Sequence, residues 1–167
     1  LDDRFRLLKA GERTLEAVVA WSYDLLTDAE REVFVRLSAF PADFSLDAAE
    51  IVVSGAVVDE RDVLDLLARL VEKSLVTTVI TDNAYRYRLL ETIRQYALEK
   101  LEDAGATAAA RDHHLGFFVT FAPRASEGLL GPDEVEWQHR TDDELDNTTP
   151  SAIPPANSSV FGCDAAR

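Results

Sequence analysis

Residues 63–80, VLDLLARLVEKSLVTTVI, contain a change of hydrophobic period that decides the fold. Up to Lys73 the apolar residues recur at helical intervals and cover more than half of the helix circumference, which predicts a helix buried against several neighbours. From Leu75 onward the period changes to two, and the run is rich in β-branched residues, as is typical of a strand. We therefore expect the core to centre on a helix from about Glu60 to Lys73. Its predicted inward residues are Val63, Leu64, Leu66, Leu67, Leu70 and Val71.

A second strand is predicted directly after the first. Residues 81–84 contain Asp and Asn, which tolerate the positive φ of a tight hairpin turn. Residues 85–89 then alternate aromatic side chains with Arg86 and Arg88, so the two faces of this strand differ. Helical spacing returns at Leu90 and continues to Gly105, a residue type that often ends helices.

A first amphipathic helix is predicted from Thr14 to Leu26, where apolar residues again follow helical spacing. Trp21 and Tyr23 lie on this helix. Aromatic side chains at such positions could form a ligand platform, but they pack one helix onto another more often, and we expect the packing role.

Two short helices should follow. The residues from Thr27 to Glu30 fit a capping box, and the proline after Phe40 should end the helix that the box begins. Ser45 can cap a third helix that ends near Gly55. Three helices, a hairpin and a closing helix are the parts of a winged helix-turn-helix, although other small α+β units share this order. The predicted fold class is mainly α with a small β-hairpin.

Two more helical stretches lie beyond Gly105. Residues 107–122 carry Leu115 and three phenylalanines, and the acidic residues 131–145 could form another short helix, as at the start of a helical repeat array. After Asn147 the chain becomes rich in proline and serine, so we expect residues 148–167 to be disordered or read in a shifted frame.

Composition limits the classes of function. The 167 residues include 17 Lys and Arg against 31 Asp and Glu, and the formal net charge of -14 repels phosphate backbones and anionic lipids. No apolar run is long enough to span a membrane, so we expect a cytoplasmic location. The single cysteine, Cys163, has no internal disulfide partner, and no metal site is expected. Because methionine is absent, we expect the sequence to be either an excerpt or a conceptual reading frame.

Four strings carry a family resemblance: LDDRFRLL at 1–8, WSYDLL at 21–26, VLDLLARLVEKSL at 63–75 and YRLLETIRQYA at 87–97. Together they resemble the region after the nucleotide-binding core of bacterial STAND-type regulators, the NB-ARC-like ATPases that include LuxR-family transcriptional activators. The resemblance implies three segments: the end of a helical ATPase lid at 1–26, a winged-helix domain at 27–105, and the start of tetratricopeptide-like repeats at 106–147.

The resemblance also implies a switch. In that family the winged helix closes over bound ADP until an inducer or partner engages the sensor repeats. ATP or ADP, with magnesium, would belong to the full-length protein and not to this chain, which lacks a G-x-x-x-x-G-K-[ST] phosphate loop. The implied partners are therefore the nucleotide-binding core and the sensor repeats of the same protein, and this chain alone is expected not to be an enzyme.

The family's methionine-histidine-aspartate contact with the nucleotide falls on Leu89, Leu90 and Glu91. Leu90 replaces the histidine and cannot donate to a phosphate oxygen, whereas Glu91 keeps a carboxylate. Arg94, one turn further on, could supply a positive group instead. The nucleotide-sensing candidates implied by the resemblance are therefore Leu90, Glu91 and Arg94.

DNA binding is the obvious alternative for a winged helix, whose third helix would enter the major groove. Residues 59–73 carry five acidic side chains against three basic ones, so this helix should repel phosphates. Arg86 and Arg88 on the wing could contact a phosphate or a partner, but a solvated strand face or an intramolecular acidic partner explains them equally well. We expect no DNA contact through this module.

Catalytic and metal-binding candidates are weak. His113 and His114 are adjacent on a predicted helix and point about 100° apart, so they cannot share one metal and are expected at the surface or at a repeat interface. His139 has no spaced ligand partner, and Asp142 and Asp143 fit a solvated loop. The sequence therefore favours a non-catalytic regulatory module that couples nucleotide state to sensor repeats. A free-standing winged-helix DNA-binding transcriptional regulator and a non-functional gene remnant stay open as alternatives.

Overall fold

The structure, a computed structural model, describes residues 14–81 and 84–148. Its described part is mainly helical with one two-stranded antiparallel sheet, which confirms the predicted fold class. The elements are α1 (residues 14–24), α2 (Asp28–Leu37), α3 (Leu46–Val53), α4 (Val63–Glu72), β1 (Thr77–Ile80), β2 (Tyr85–Arg88), α5 (Glu91–Asp103), α6 (Thr107–Gly128) and α7 (Glu134–Glu144), with 3-10 turns at Glu60–Asp62 and Leu145–Thr148. The predictions for residues 1–13 and 149–167, including Cys163, lie outside the described residues.

Side-chain caps begin the two helices that follow α1, as predicted. The hydroxyl of Thr27 accepts from the Glu30 amide at 3.3 Å, and the Glu30 carboxylate accepts from the Thr27 amide at 2.8 Å. Ser45 Oγ accepts from the Ala48 amide at 3.2 Å. The α-helix α2 ends at Leu37, earlier than the predicted end near Phe40, because the next three amides bond to carbonyls three residues back and tighten the chain.

The helix α4 places one face in the core that it forms with α2, α3 and α5. Its buried residues lie at i, i+3, i+4 and i+7: Val63, Leu66, Leu67 and Leu70. The prediction that Leu64 is also inward is wrong, because this side chain is 48% exposed and Val71 is only partly buried. The reason is that α2 and α3 cover α4 from one side, which leaves the adjacent helix face in solvent.

The hairpin pairs Thr77 with Arg88 and Ile80 with Tyr85 in antiparallel register. It is shorter than predicted, since the amides of Leu75 and its successor bond to the Leu70 carbonyl and close the end of α4 before the strand begins. A bridge of two backbone hydrogen bonds, 2.8 and 2.9 Å long, joins Tyr87 to Phe44 in the loop between α2 and α3. The wing is thereby fixed to the helical core.

The first helix is only partly packed. Tyr23 lies 5.8 Å from the ring of Phe34 and 5.7 Å from that of Tyr96, so its predicted packing role is confirmed. The same prediction is wrong for Trp21, which is 67% exposed. On α1 and the turn after it, Val19 and Leu26 are buried, and the neighbouring apolar side chains have no covering element in the described structure.

The helices α6 and α7 confirm two helical stretches beyond Gly105. Gly105 ends α5 with a φ of 66°, as predicted. The helix α6 runs past Pro123 to Gly128, further than the predicted end near residue 122. Trp137 of α7 lies over Gly128, and a Cβ at this glycine would collide with the indole ring.

Candidate functional site

The exposed surface of α4 is acidic. Asp65 and Glu72 lie on this surface with Arg69, and the preceding 3-10 turn adds Glu60, Arg61 and Asp62. At the end of the helix, Lys73 Nζ binds both carboxylate oxygens of the buried Glu30 at 2.8 Å. Lys73, the third basic residue of this region after Arg61 and Arg69, is therefore neutralised by the carboxylate of Glu30.

The wing arginine Arg86 is buried, with 3% of its surface exposed. Its Nε donates to Asp43 Oδ1 at 2.8 Å, and its Nη2 donates to Glu144 Oε1 at 2.9 Å and to the backbone carbonyls of Asp43 and Asp143 at 2.9 and 3.0 Å. Burial acts to lower the pKa of Arg86, but Glu144 and Asp43 outweigh it and raise this pKa. The arginine is therefore a permanent cation between two carboxylates.

Asn147 completes this network. Its amide nitrogen donates to the Asp43 carbonyl at 2.6 Å and to Glu144 Oε2 at 3.0 Å, while its oxygen accepts from the Ala42 amide at 3.2 Å. Burial raises the pKa of Glu144, although Arg86 and Asn147 both favour the charged carboxylate. The network ties the end of α7 to the wing and to the α2–α3 loop.

The structure thus gives Arg86 an intramolecular acidic partner, one of the two explanations that the sequence left open. Arg88 is half exposed and lies 4.0 Å from Asp43 Oδ2. Sequence reasoning missed Asp43, Glu144 and Asn147, because they are far apart in the chain and no local pattern links them. A contact of the wing with phosphate stays a prediction.

The three nucleotide-sensing candidates lie together at the start of α5. Leu90 is the exposed N-cap residue, and Glu91 begins the helix. Arg94 donates to Glu91 at 2.9 and 3.0 Å and to the Ser38 carbonyl at 3.4 Å, and its hydrogen bonds lower the pKa of Glu91. Both charged side chains are therefore held in one place, but their contact with a nucleotide stays a prediction.

The adjacent histidines of α6 lie where this helix packs on the preceding helices, and a repeat interface at this place stays a prediction. His114 is 6% exposed, with its ring 5.2 Å from Phe40 and 5.1 Å from Phe118. Its Nε2 has no hydrogen-bond partner, and burial lowers its pKa to about 4. His113 Nδ1 lies 3.2 Å from the Val52 carbonyl oxygen.

Within residues 14–81 and 84–148, no group of three or more His, Cys, Asp or Glu side chains is arranged to hold a metal ion. No helix in the same part of the chain combines the length and the apolar character needed to cross a membrane.

Comparison with known proteins confirms the helix-turn-helix prediction. Residues 26–102 match the family model of a winged helix-turn-helix domain. The chain is 41% identical over 157 residues to proteins named "Putative HTH-type transcriptional regulator" from Mycobacterium tuberculosis and Mycobacterium bovis, a match that covers 88% of this chain and 17% of each relative. An "Uncharacterized protein" of Mycobacterium tuberculosis is 41% identical over 121 residues, or 65% of this chain and 30% of its own length.

The chain therefore spans 17% of the length of the regulators it matches. No solved structure matches it. Residues 26–102 are a winged helix-turn-helix domain, and the chain is homologous to proteins named "Putative HTH-type transcriptional regulator", whereas the more specific features that the resemblance implies stay predictions.

Proposed function

Starting from a winged helix-turn-helix domain related to transcriptional regulators, we propose that this chain is a non-catalytic regulatory module of a larger cytoplasmic regulator. The module works through contacts with other parts of that protein and not through DNA. The observation that carries the proposal is the acidic exposed face of α4, the helix that a DNA-reading winged helix would place in the major groove.

The charge of this face decides against a polyanion. Specific DNA binding rests on several Lys or Arg contacts to phosphates, each of which releases counterions. Around α4, Arg61 and Arg69 face solvent among five acidic residues, and Lys73 is held by Glu30. The wing adds no strong compensation, because Arg86 is buried between carboxylates.

The exposed apolar side of α1 favours a protein partner. Leu15, Val18 and Trp21 of α1, and Leu25 in the turn directly after it, follow helical spacing and are all exposed. A continuous apolar stripe of this kind is costly in water and is commonly covered by protein. The stripe fits the family resemblance, in which residues 1–26 are the end of a helical ATPase lid that follows the nucleotide-binding core.

The same resemblance supplies the finer part of the proposal. The partner core would bind ATP or ADP with magnesium, and Glu91 and Arg94 would face it from the start of α5. The helices α6 and α7 would lead into sensor repeats, so that the winged helix links the two parts. Calorimetry of this chain with ADP should give no heat of binding, and a saturable heat would contradict a nucleotide site outside the chain.

A DNA-binding regulator is the second candidate, and two findings favour it. The matched family is a winged helix-turn-helix, and the relatives are named as HTH-type regulators. Winged helices of this kind commonly read DNA with the third helix and the wing.

Fluorescence anisotropy with mixed-sequence duplex DNA at about 50 mM salt separates the two candidates. The wild-type chain should show no saturable binding. The double variant Asp65→Lys/Glu72→Lys should gain binding, because it makes the α4 face basic. This is the face that a DNA-binding winged helix would turn toward the phosphates. The matched variant Glu99→Lys/Glu102→Lys makes the same change of net charge on exposed positions of α5 and should gain much less.

Micromolar wild-type binding that weakens steeply with salt would overturn the proposal, provided that Arg61→Ala/Arg69→Ala removes it.

A further inference from the structure

A cleft of about 930 Å3 lies between α3, the tip of the wing and the α6–α7 pair. The helix α7 borders it and is held by contacts along its length. Trp137 packs on Gly128 and Phe121, Arg140 lies 3.6 Å from Asp47 of α3, and Glu144 binds Arg86. Cavities of about 300 to 1,000 Å3 are typical of sites for small organic molecules.

Part of the cleft lining is apolar and aromatic. Phe117 and Phe121, stacked 5.5 Å apart on α6, line it together with Ile51 of α3. At its edge, Tyr85 of the wing and Val135 of α7 are both largely exposed. Apolar side chains left open on several walls of one cleft could be covered by a single apolar body.

The net charge of the lining favours a positively charged ligand. Five carboxylates line the cleft against three guanidinium groups, a net formal charge of -2: Asp47, Asp133, Glu136, Asp143 and Glu144, against Arg86, Arg124 and Arg140.

The arginines are already engaged within the protein. Arg86 binds Glu144, and Arg140 lies 3.6 Å from Asp47 and 4.5 Å from the ring of Trp137. Arg124 lies 5.9 Å from the same ring.

Three of the carboxylates are not matched in this way. In the described part of the chain, no Lys, Arg or His nitrogen lies within ion-pair distance of Asp133, Glu136 or Asp143. A negative potential over an apolar and aromatic lining is complementary to an amphipathic cation. An aromatic ring such as that of Tyr85 adds a further attraction to positive charge.

We propose that this cleft is a binding site for a small organic cation with an apolar body. The body contacts Phe121, Ile51 and Tyr85, and the charge lies toward the carboxylates of α7. The site is distinct from the α4 face and from the start of α5, so the proposal does not depend on the regulatory function proposed above. An occupant would lie against the wing, α3 and α7 at once.

The test uses two organic ions of matched size and shape and opposite charge, tetraphenylphosphonium and tetraphenylborate, with the full chain. Isothermal titration calorimetry should show saturable one-to-one binding of the phosphonium and no binding of the borate. A chain with a net charge of -14 attracts any cation weakly over its whole surface, so variants are needed to show that binding occurs in the cleft. Tyr85→Ala and Asp143→Asn should each weaken binding by about fivefold to tenfold.

A matched pair of exposed valines provides a test position and its control. Val135→Ala, at the edge of the cleft, should weaken binding, whereas Val119→Ala, on α6 outside the cleft, should leave it unchanged. All four positions keep the buried core intact, so loss of folding does not obscure the result. Equal binding of the two ions, no binding of the phosphonium, or equal effects of the two valine variants would overturn the proposal.

Discussion

Replacing His114 with phenylalanine should remove a pH dependence of stability that this one side chain creates. The ring lies between Phe40 and Phe118, is 6% exposed and has an Nε2 without a hydrogen-bond partner. A positive charge at this position would lose most of its hydration, and a proton on Nε2 would have no acceptor. Burial therefore lowers the pKa from its ordinary value of 6.5 to about 4.

The sign and size follow from this difference in pKa. Between pH 6.5 and pH 4 the unfolded chain holds a proton on His114 that the folded chain does not, so the free energy of unfolding falls as the pH falls. Each pH unit inside this window costs up to about 1.4 kcal/mol. From pH 7 to pH 5 the loss due to His114 alone is about 2 kcal/mol.

Urea denaturation at pH 7, 6 and 5 measures this loss. Over that range the wild-type chain should lose about 2 kcal/mol more than His114→Phe, since carboxylates contribute equally to both. His139→Gln, an exposed position on α7, is the control and should follow the wild type. If His114→Phe shows the same pH dependence as the wild type, His114 is not buried as the structure has it.

Three further substitutions test other parts of the structure. Arg86→Ala leaves the buried Glu144 and the partly buried Asp43 without their cation and should lower the free energy of unfolding by about 3 to 5 kcal/mol in urea denaturation, whereas the half-exposed Arg88→Ala should cost under about 1 kcal/mol; equal losses would contradict the buried network. Gly128→Ala should displace Trp137 and loosen α7, although alanine favours helices more than glycine does. Hydrogen exchange should become faster in α7 alone, and unchanged exchange would refute the contact. Ser74 has a φ of 59°, so Ser74→Gly should raise the free energy of unfolding by about 1 kcal/mol. A lower thermal midpoint of this variant would contradict the left-handed backbone at Ser74.

Local signals in the sequence predicted most of the fold. The capping box at Thr27, the hydroxyl cap at Ser45 and the glycine stop at Gly105 each depend on a few neighbouring residues, and all three are present. The change of period after α4 also predicted the hairpin. These features could be read in advance because the same short segment both encodes and forms them.

The exposure of individual residues was harder to predict. Leu64 and Trp21 fit helical apolar patterns, yet both are exposed, because exposure depends on which side of a helix another element covers. A pattern along one helix contains no information about its distant neighbours.

The candidate sites show the same limit more strongly. Sequence reasoning singled out Arg86 but left its environment open between solvent and an acidic partner. The partners, Asp43 and Glu144, are 43 and 58 residues away in the chain. Only the packing of α7 against the wing brings these groups together, so their pairing and the cleft beside them could be found only in three dimensions.

We propose that the acidic face of α4 does not bind DNA. The most direct measurement is a 1H–15N NMR titration of the chain with duplex DNA at low salt, since it locates any contact residue by residue. No localised shift changes are expected in Val63–Glu72 or in the hairpin, even with excess duplex. Saturable shift changes confined to α4 and the wing, at micromolar DNA, would contradict the proposal.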